Sequence, residues 1–328
     1  MIKFLASKDS EELLKTFTNT IEGLPYEERG KEVNEHELME RAEDYPLKIC
    51  PIGCLALTAG VDVQDNRLEA VVYGHGARER WVIDRALIYG SPGDTATWQS
   101  LDQYLLAPFE HRSGADLVIS AAAVDSGGHF TQQVYDFCRL RKGRHIIAVK
   151  GSSMKNKPIL GKPSKVDVTL QGRALKNGGE VWMVGTDTAK SLIYSLLDID
   201  EPAADGYIHF SDQLSEDFYQ QLTSEKLARR YIKGFPVNEW VKPKGARNEV
   251  LDCTVYAFAA YWLLGLHRWR PSQWRQLEQR IQPANMDLFA APDPPEAIEV
   301  DDITPDKKKL KRKPRKRATL RDRIANVG

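Results

Sequence analysis

Apolar and polar positions set the grammar of this chain from Cys54 onward. CLALTAGVDVQ, RLEAVVYGHG and RERWVIDRALIYG are three strand candidates in succession, joined by turn chemistry at DNR (65 to 67) and by GARE (76 to 79). Tight links between sequential strands predict an antiparallel meander. TATWQSLDQYLLAPF then reads as a helix, with Thr95 or Thr97 as its cap and Leu101, Leu105 and Leu106 on one side. ADLVISAAAVD is a short continuous apolar run, the mark of a strand buried on both faces. SGGHFTQQVYDFCRL opens another helix and RHIIAVKG supplies a further strand. The order is β-β-β-α-β-α-β, and the helical crossover makes the fourth strand parallel to the first. The economical sheet puts those two side by side, with the meander on the far side. The expected class is therefore α/β: a mixed sheet of five strands flanked by helices.

Outside this region the pattern is weaker. Ser10 can cap a helix that places Leu13, Leu14, Phe17 and Ile21 on one face, and the polar YEERGKEVNEHELMERAEDY follows. Residues 1–50 thus read as an arm or inter-domain linker, and 51–270 as the main domain. From Gly151 to about residue 245 the chain is looser, with EVWMVG, the helix TDTAKSLIYSLL, and YIHF. A strong helix follows at RNEVLDCTVYAFAAYWLLGL, and residues 271–328 read as a flexible tail.

Composition refines this only in places. At 42% hydrophobic and 28% charged the chain has the balance of a globular protein with a real core. Lys plus Arg equals Asp plus Glu, 46 each, so net charge points to no partner. The distribution is more telling: residues 287–306 hold seven acids and four prolines, and KKKLKRKPRKR at 307–317 holds nine basic residues in eleven. Such blocks are solvated and often serve as interaction tails. The four cysteines lack zinc-ligand spacing and read as reduced, buried thiols. The N-terminus has no signal-peptide core, and no apolar run has the length of a membrane span.

Candidate chemistry begins with Asp62, an acid between Val61 and Val63 in the first strand. The pleat puts Leu55, Leu57, Val61 and Val63 on one face and Thr58, Gly60, Asp62 and Gln64 on the other. Asp125 ends the fourth strand, so in the expected sheet both carboxylates lie near the ligand-binding end of adjacent parallel strands. Two close carboxylates repel unless a cation lies between them, and hard divalent ions take oxygen ligands. Glu249 and Asp252 share a face near the start of the strong helix and could be aimed at the pair. Together these acids fit a two-metal site for phosphodiester hydrolysis. Each also has a bland reading: Asp62 as a strand-end acid, Asp125 as a turn residue or helix cap, Glu249 and Asp252 as favourable charges at a helix N-terminus.

TAGVDVQDNRLE, AVDSGGH, AVKG, MVGTDTAK, EDFYQQLTSE and RNEVLDCTVYA, in this order, resemble the nuclease half of the lambda-like phage terminase large subunit. FTNTIEGLPYEERG looks like the segment leading into it, so the likeness spans about residues 10–265. The resemblance implies a ribonuclease H-like fold and Mg²⁺- or Mn²⁺-dependent cutting of concatemeric viral DNA during packaging. By motif, Asp62, Asp125 and Asp252 carry over as catalytic metal ligands for two ions, with Glu249 as a possible helper. Implied partners are double-stranded DNA, the packaging ATPase half, the small terminase subunit and the capsid portal, in the host bacterial cytoplasm and with no membrane. The chain departs from the full-length family in lacking a G-x-x-x-x-G-K-[ST] phosphate cradle: GKPSK has Pro163 after Lys162, and GTDTAK also falls short. The expectation is the nuclease half alone, as a piece of a longer protein or a split gene.

Phosphate contacts are expected from Lys150, His129, Lys190 and Arg247, and the basic tail would bind DNA or dock a portal. Two alternatives stand beside the terminase reading. One is another ribonuclease H-like enzyme, of resolvase or transposase type. The other is a noncatalytic assembly module that docks the portal or the small subunit.

Overall fold

A computed structural model describes residues 33–282, apart from 153, 171–172, 203 and 233–234. The N-terminal helix expected around Ser10 and the acidic and basic tail lie outside the described residues. Three strands form the expected meander: β2 (Ala56–Val63), β3 (Arg67–His75) and β4 (Arg80–Tyr89), after a short β1 (Ile49–Cys50). β7 (Ile119–Asp125) pairs parallel with β2, matching Val61 to Val124, and β8 (Ile146–Ser152) pairs parallel with β7. The series β4-β3-β2-β7-β8 is the five-stranded ribonuclease H-like arrangement expected from the sequence. It is the middle of an eight-stranded sheet. β10 (Arg173–Gly185) and β9 (Leu160–Leu170) extend one side, and β11 (Ile208–His209) the other.

The pleat divides the core in two. Leu57, Ala59 and Val61 of β2, with Ala122 and Val124 of β7, pack under α2 (Thr95–Leu106) and α3 (Thr131–Leu140). An earlier helix, α1 (Glu35–Glu40), lies before the sheet. On the opposite face Val71, Tyr73, Ala121 and Ala123 meet α4 (Thr186–Leu197), α5 (Glu216–Leu222) and above all α6 (Glu249–Leu263). From Val250 to Tyr261 every residue of α6 except Asp252 is buried, as suits a helix enclosed on nearly all sides. Burial of apolar area at about 25 cal/mol per Å² makes this helix the main tie between the sheet and its outer elements.

Gly60 allows α6 to come that close. A Cβ there would stand 1.8 Å from the Cys253 carbonyl oxygen and 2.5 Å from the Ala257 nitrogen. Three side-chain bonds hold the contact. Thr58 donates to the Ala257 carbonyl at 3.0 Å, the Cys253 thiol donates to the Glu69 carbonyl at 3.2 Å, and the Tyr73 and Thr254 hydroxyls lie 3.2 Å apart.

The packed body reaches beyond the expected limits of 51–270 on both sides. Leu38 of α1 is buried in the α6-side core, and Glu43 bridges to Ser211, so residues 33–50 are not a free arm. After residue 270, α7 (Pro271–Ile281) seats Trp274 among Leu55, Ala56, Tyr261 and Leu266. Leu55 therefore belongs to this third cluster rather than to the face shared by Leu57 and Val61. The stretch from Gly151 to 245 is regular: besides the β9–β10 pair it contains a hairpin of β12 (Lys226–Ile232) and β13 (Phe235–Val241). β5 (Phe109–His111) joins β1 and β6 (Asp116–Leu117) in a small separate sheet. Asp94, rather than Thr95 or Thr97, occupies the N-cap of α2. Among the described residues no helix is long and apolar enough to cross a membrane.

Candidate functional site

Asp62 is the next-to-last residue of β2 and Asp125 the last of β7, and the Val61–Val124 register sets them side by side at the same sheet end. Alternation puts both on the α6 face. Asp62 is 5% exposed, and Gln64 donates a short hydrogen bond to its Oδ2. Burial, helped by the negative charges of Asp252, Asp125 and Glu249 and opposed by the Gln64 bond, pushes its carboxyl up from 3.8 to about 7. Burial also raises Asp125, against the Gly127 and Ser126 amides, the Tyr256 hydroxyl and the Lys150 ammonium. The Gly127 amide donates to Asp125 Oδ1 at 3.1 Å, so this residue makes the turn contact of its bland reading and still faces the other acids.

Asp252 lies in the first turn of α6. Burial pushes it up to about 6, opposed first by Lys190 and reinforced by Glu225 and Asp125. The charges of Asp125 and Asp252 act on Asp62 and that of Asp125 on Asp252, so the three carboxyls share one electrostatic neighbourhood. Their hard oxygen donors suit Mg²⁺ or Mn²⁺. Among the described residues, however, no three His, Cys, Asp or Glu side chains converge closely enough to hold a metal as they stand. The acids fit the group in the chemistry of their donors and in lying at one end of the sheet.

The other expected residues fall in different settings. Glu249 begins α6, but Arg67 Nη2 lies 3.3 Å from its Oε1 and Arg247 Nε 3.2 Å from its Oε2, so two guanidiniums neutralise it. Arg247 also faces Glu69 and Asp217 at 3.6 and 3.5 Å. Lys150 is exposed within β8, close enough to Asp125 to oppose its rise. His129 stands two residues ahead of α3, exposed, with Nδ1 3.2 Å from Asp65. Lys190 is not a surface cation. It is buried in α4 with its ammonium 2.7 Å from Glu225 and 3.8 Å from Asp252.

Two acids escaped the sequence reading. Glu225 is 5% exposed, and the Asn248 amide donates at 2.9 Å both to it and to Asp252. Glu69, directly across from Asp62 on β3, is fully buried and takes bonds from Arg85 Nε and Nη2 at 2.9 and 2.7 Å. The register of the meander was the available signal for Glu69, since it follows once Asp62 is placed.

Sheet order and the placement of the acids are those expected of a ribonuclease H-like domain. The family model for the endonuclease domain of terminase large subunit gpA matches residues 2–274, and the chain belongs to that family. It is 35% identical over 267 residues to the terminase large subunit of Escherichia phage lambda, covering 78% of this chain and 40% of that protein. To the terminase large subunit of Enterobacteria phage P21 it is 32% identical over 266 residues, with the same coverage. The chain thus spans about 40% of the length of these curated relatives. Among solved structures it is similar to a mutant nuclease domain of the large terminase subunit gp2 of bacterial virus Sf6, with manganese. That likeness has a TM-score of 0.38 and 12% identity over 69% of this chain and 97% of that one, too remote to argue from.

Proposed function

We propose that this chain is a metal-dependent endodeoxyribonuclease that hydrolyses phosphodiester bonds of concatemeric viral DNA during packaging. One observation carries the reading: Asp62 and Asp125 lie at the same end of adjacent parallel strands with Asp252 nearby in the first turn of α6, burial raises all three, and neighbouring acids add to the rise of Asp62 and Asp252. Such a group is stable as anions only with added positive charge. When bound, two Mg²⁺ or Mn²⁺ ions would activate water and stabilise the leaving oxygen. Asp62, Asp125 and Asp252 would hold them. Gln64 keeps Asp62 oriented, and Tyr256 and the Gly127 amide do the same for Asp125. Lys150, His129 and Arg247 are at hand for backbone phosphates of double-stranded DNA. Glu249, engaged by arginines, is better suited to fixing the start of α6 than to ligation. Working partners would be a packaging ATPase half, a small terminase subunit and a capsid portal, in the host cytoplasm.

The test is cleavage of supercoiled plasmid in EDTA, Mg²⁺ or Mn²⁺, with calorimetric Mn²⁺ titration beside it. Metal-dependent nicking that Asp62→Asn and Asp125→Asn both abolish is the expected result. A folded protein that neither cuts nor binds Mn²⁺ would favour the noncatalytic assembly module. Strong preference for branched over linear duplex would favour a resolvase.

A further inference from the structure

A buried ion pair stands behind the acids and touches one of them. Lys190 comes from α4, Glu225 from the link between α5 and β12, and Asn248 from the N-cap of α6. Lys190 is 9% and Glu225 5% exposed, so each charge needs its partner. The ammonium lies 2.7 Å from Glu225 Oε1, and the same oxygen accepts from the Asn248 amide at 2.9 Å. Both donors also face Asp252: the amide is 2.9 Å from Oδ2 and the ammonium 3.8 Å from Oδ1. The Tyr194 hydroxyl donates to the Glu225 carbonyl, which fixes the segment that presents this acid. Glu225 and Asp252 thus share one lysine and one amide.

We propose that Lys190 and Glu225 form a positioning pair that sets the orientation and the free negative charge of Asp252 toward the cation site. This rests on the metal-dependent reading above. Lys190 divides its charge between two carboxylates, and its nearer bond is to Glu225. Removing Glu225's charge gives Lys190 wholly to Asp252 and withdraws that carboxylate from a cation. Removing the Lys190 charge leaves Asp252 and Glu225 both uncompensated and makes the site more negative. The two changes act on cation affinity with opposite sign. A pair that served only the packing of α4 against α6 would not have that signature.

Mn²⁺ titration by calorimetry, without DNA, reads it directly on the full chain. The variants are Glu225→Gln, Lys190→Met and the double substitution, with circular dichroism to confirm folding. Coulomb attraction at these separations makes a shift of about tenfold in Kd reasonable. Glu225→Gln is expected to weaken Mn²⁺ binding about tenfold, Lys190→Met to tighten it by a similar factor, and the double variant to fall between them. Plasmid nicking by Lys190→Met should nonetheless drop, because Asp252 loses an anchor, and Lys190→Arg should restore part of it. Glu225→Gln keeps the amide bond and leaves Lys190 beside Asp252, so it remains informative if Lys190→Met does not fold. Wild-type Kd in folded Glu225→Gln, or shifts of the same sign in both single variants, would overturn the proposal. Absence of Mn²⁺ binding by the wild type would instead overturn the metal-dependent reading itself.

Discussion

Asp62→Asn should stabilise the metal-free protein at neutral and alkaline pH. The wild-type carboxyl is raised from 3.8 to about 7, first by burial and then by its acidic neighbours. In the unfolded chain it ionises near its ordinary value. Between about pH 4 and pH 7 the unfolded state gives up this proton while the folded state keeps it, so stability falls as pH rises through that window. Above pH 7 the cost is complete. A displacement from 3.8 to about 7 corresponds to an upper limit of about 4 kcal/mol. Asp252, raised to about 6, adds a cost of the same sign in an overlapping window. Asparagine has nearly the same shape, cannot ionise, and can still accept through its carbonyl from Gln64.

The assay is thermal or urea unfolding in EDTA at pH 4.5 and pH 8, wild type against Asp62→Asn. At pH 8 the variant should be the more stable by about 2–4 kcal/mol, which in a domain of this size is on the order of 5–10 °C in Tm. At pH 4.5 the advantage should shrink to about 1 kcal/mol. Excess Mn²⁺ should raise the wild type, by about 2.7 kcal/mol at a hundredfold over Kd, and raise the variant much less. An advantage that does not change with pH, or a variant weaker than the wild type at pH 8 in EDTA, would refute the argument from burial and repulsion. The EDTA arm tests the strain in the acid group, and the Mn²⁺ arm tests what relieves it.

Three further substitutions probe the frame that holds the acids. Gly60→Ala should destabilise by about 3 kcal/mol or more in urea unfolding, since its Cβ would meet backbone of α6 at 1.8 and 2.5 Å and helix backbone cannot give way cheaply. Glu69→Ala should cost about 3–5 kcal/mol, measured the same way, by taking from the half-buried Arg85 the oxygen that accepts both its Nε and Nη2 and leaving it Asp217 alone. The double change of Glu69 and Arg85 to methionine should recover most of that loss. Trp274→Ala should lower stability by about 3 kcal/mol in the same assay, because Trp274 closes the cluster around Tyr261 and Leu266. A variant within 0.5 kcal/mol of wild type would return residues beyond 270 to the status of tail.

The middle of the sheet was legible because its strands carry strong local signals. β2, β3 and β4 are apolar-rich runs bounded by turn residues, and β7 is too apolar to be anything but a central strand. Once β7 was set beside β2, the pairing of Asp62 with Asp125 followed from register alone. The outer strands were hidden for an equally physical reason. β9 and β10 contain Lys162, Lys165, Lys176, Asn177, Gly178 and Gly179, the composition of a loop and also of an edge kept from aggregating. α1 was missed because it is short, and both it and α7 because each fully buries a single side chain, Leu38 and Trp274.

Lys190 is the case in which a legible signal was left unused. In TDTAKSLIYSLL it stands three, four and seven residues before Ile193, Tyr194 and Leu197, and so falls on the apolar stripe of its helix. A lysine on that stripe must either snorkel out or meet a buried anion. Asp62 posed the same question from inside a strand, and there the sequence supplied both question and answer, since Asp125 ends a neighbouring strand of obvious type. For Lys190 the answering charge is Glu225, which lies between a short helix and a hairpin and has no periodic pattern of its own. Pattern can flag a charge in an apolar place. Its partner becomes visible only when the chain packs, and here the packing joins that pair to Asp252 through one ammonium and one amide.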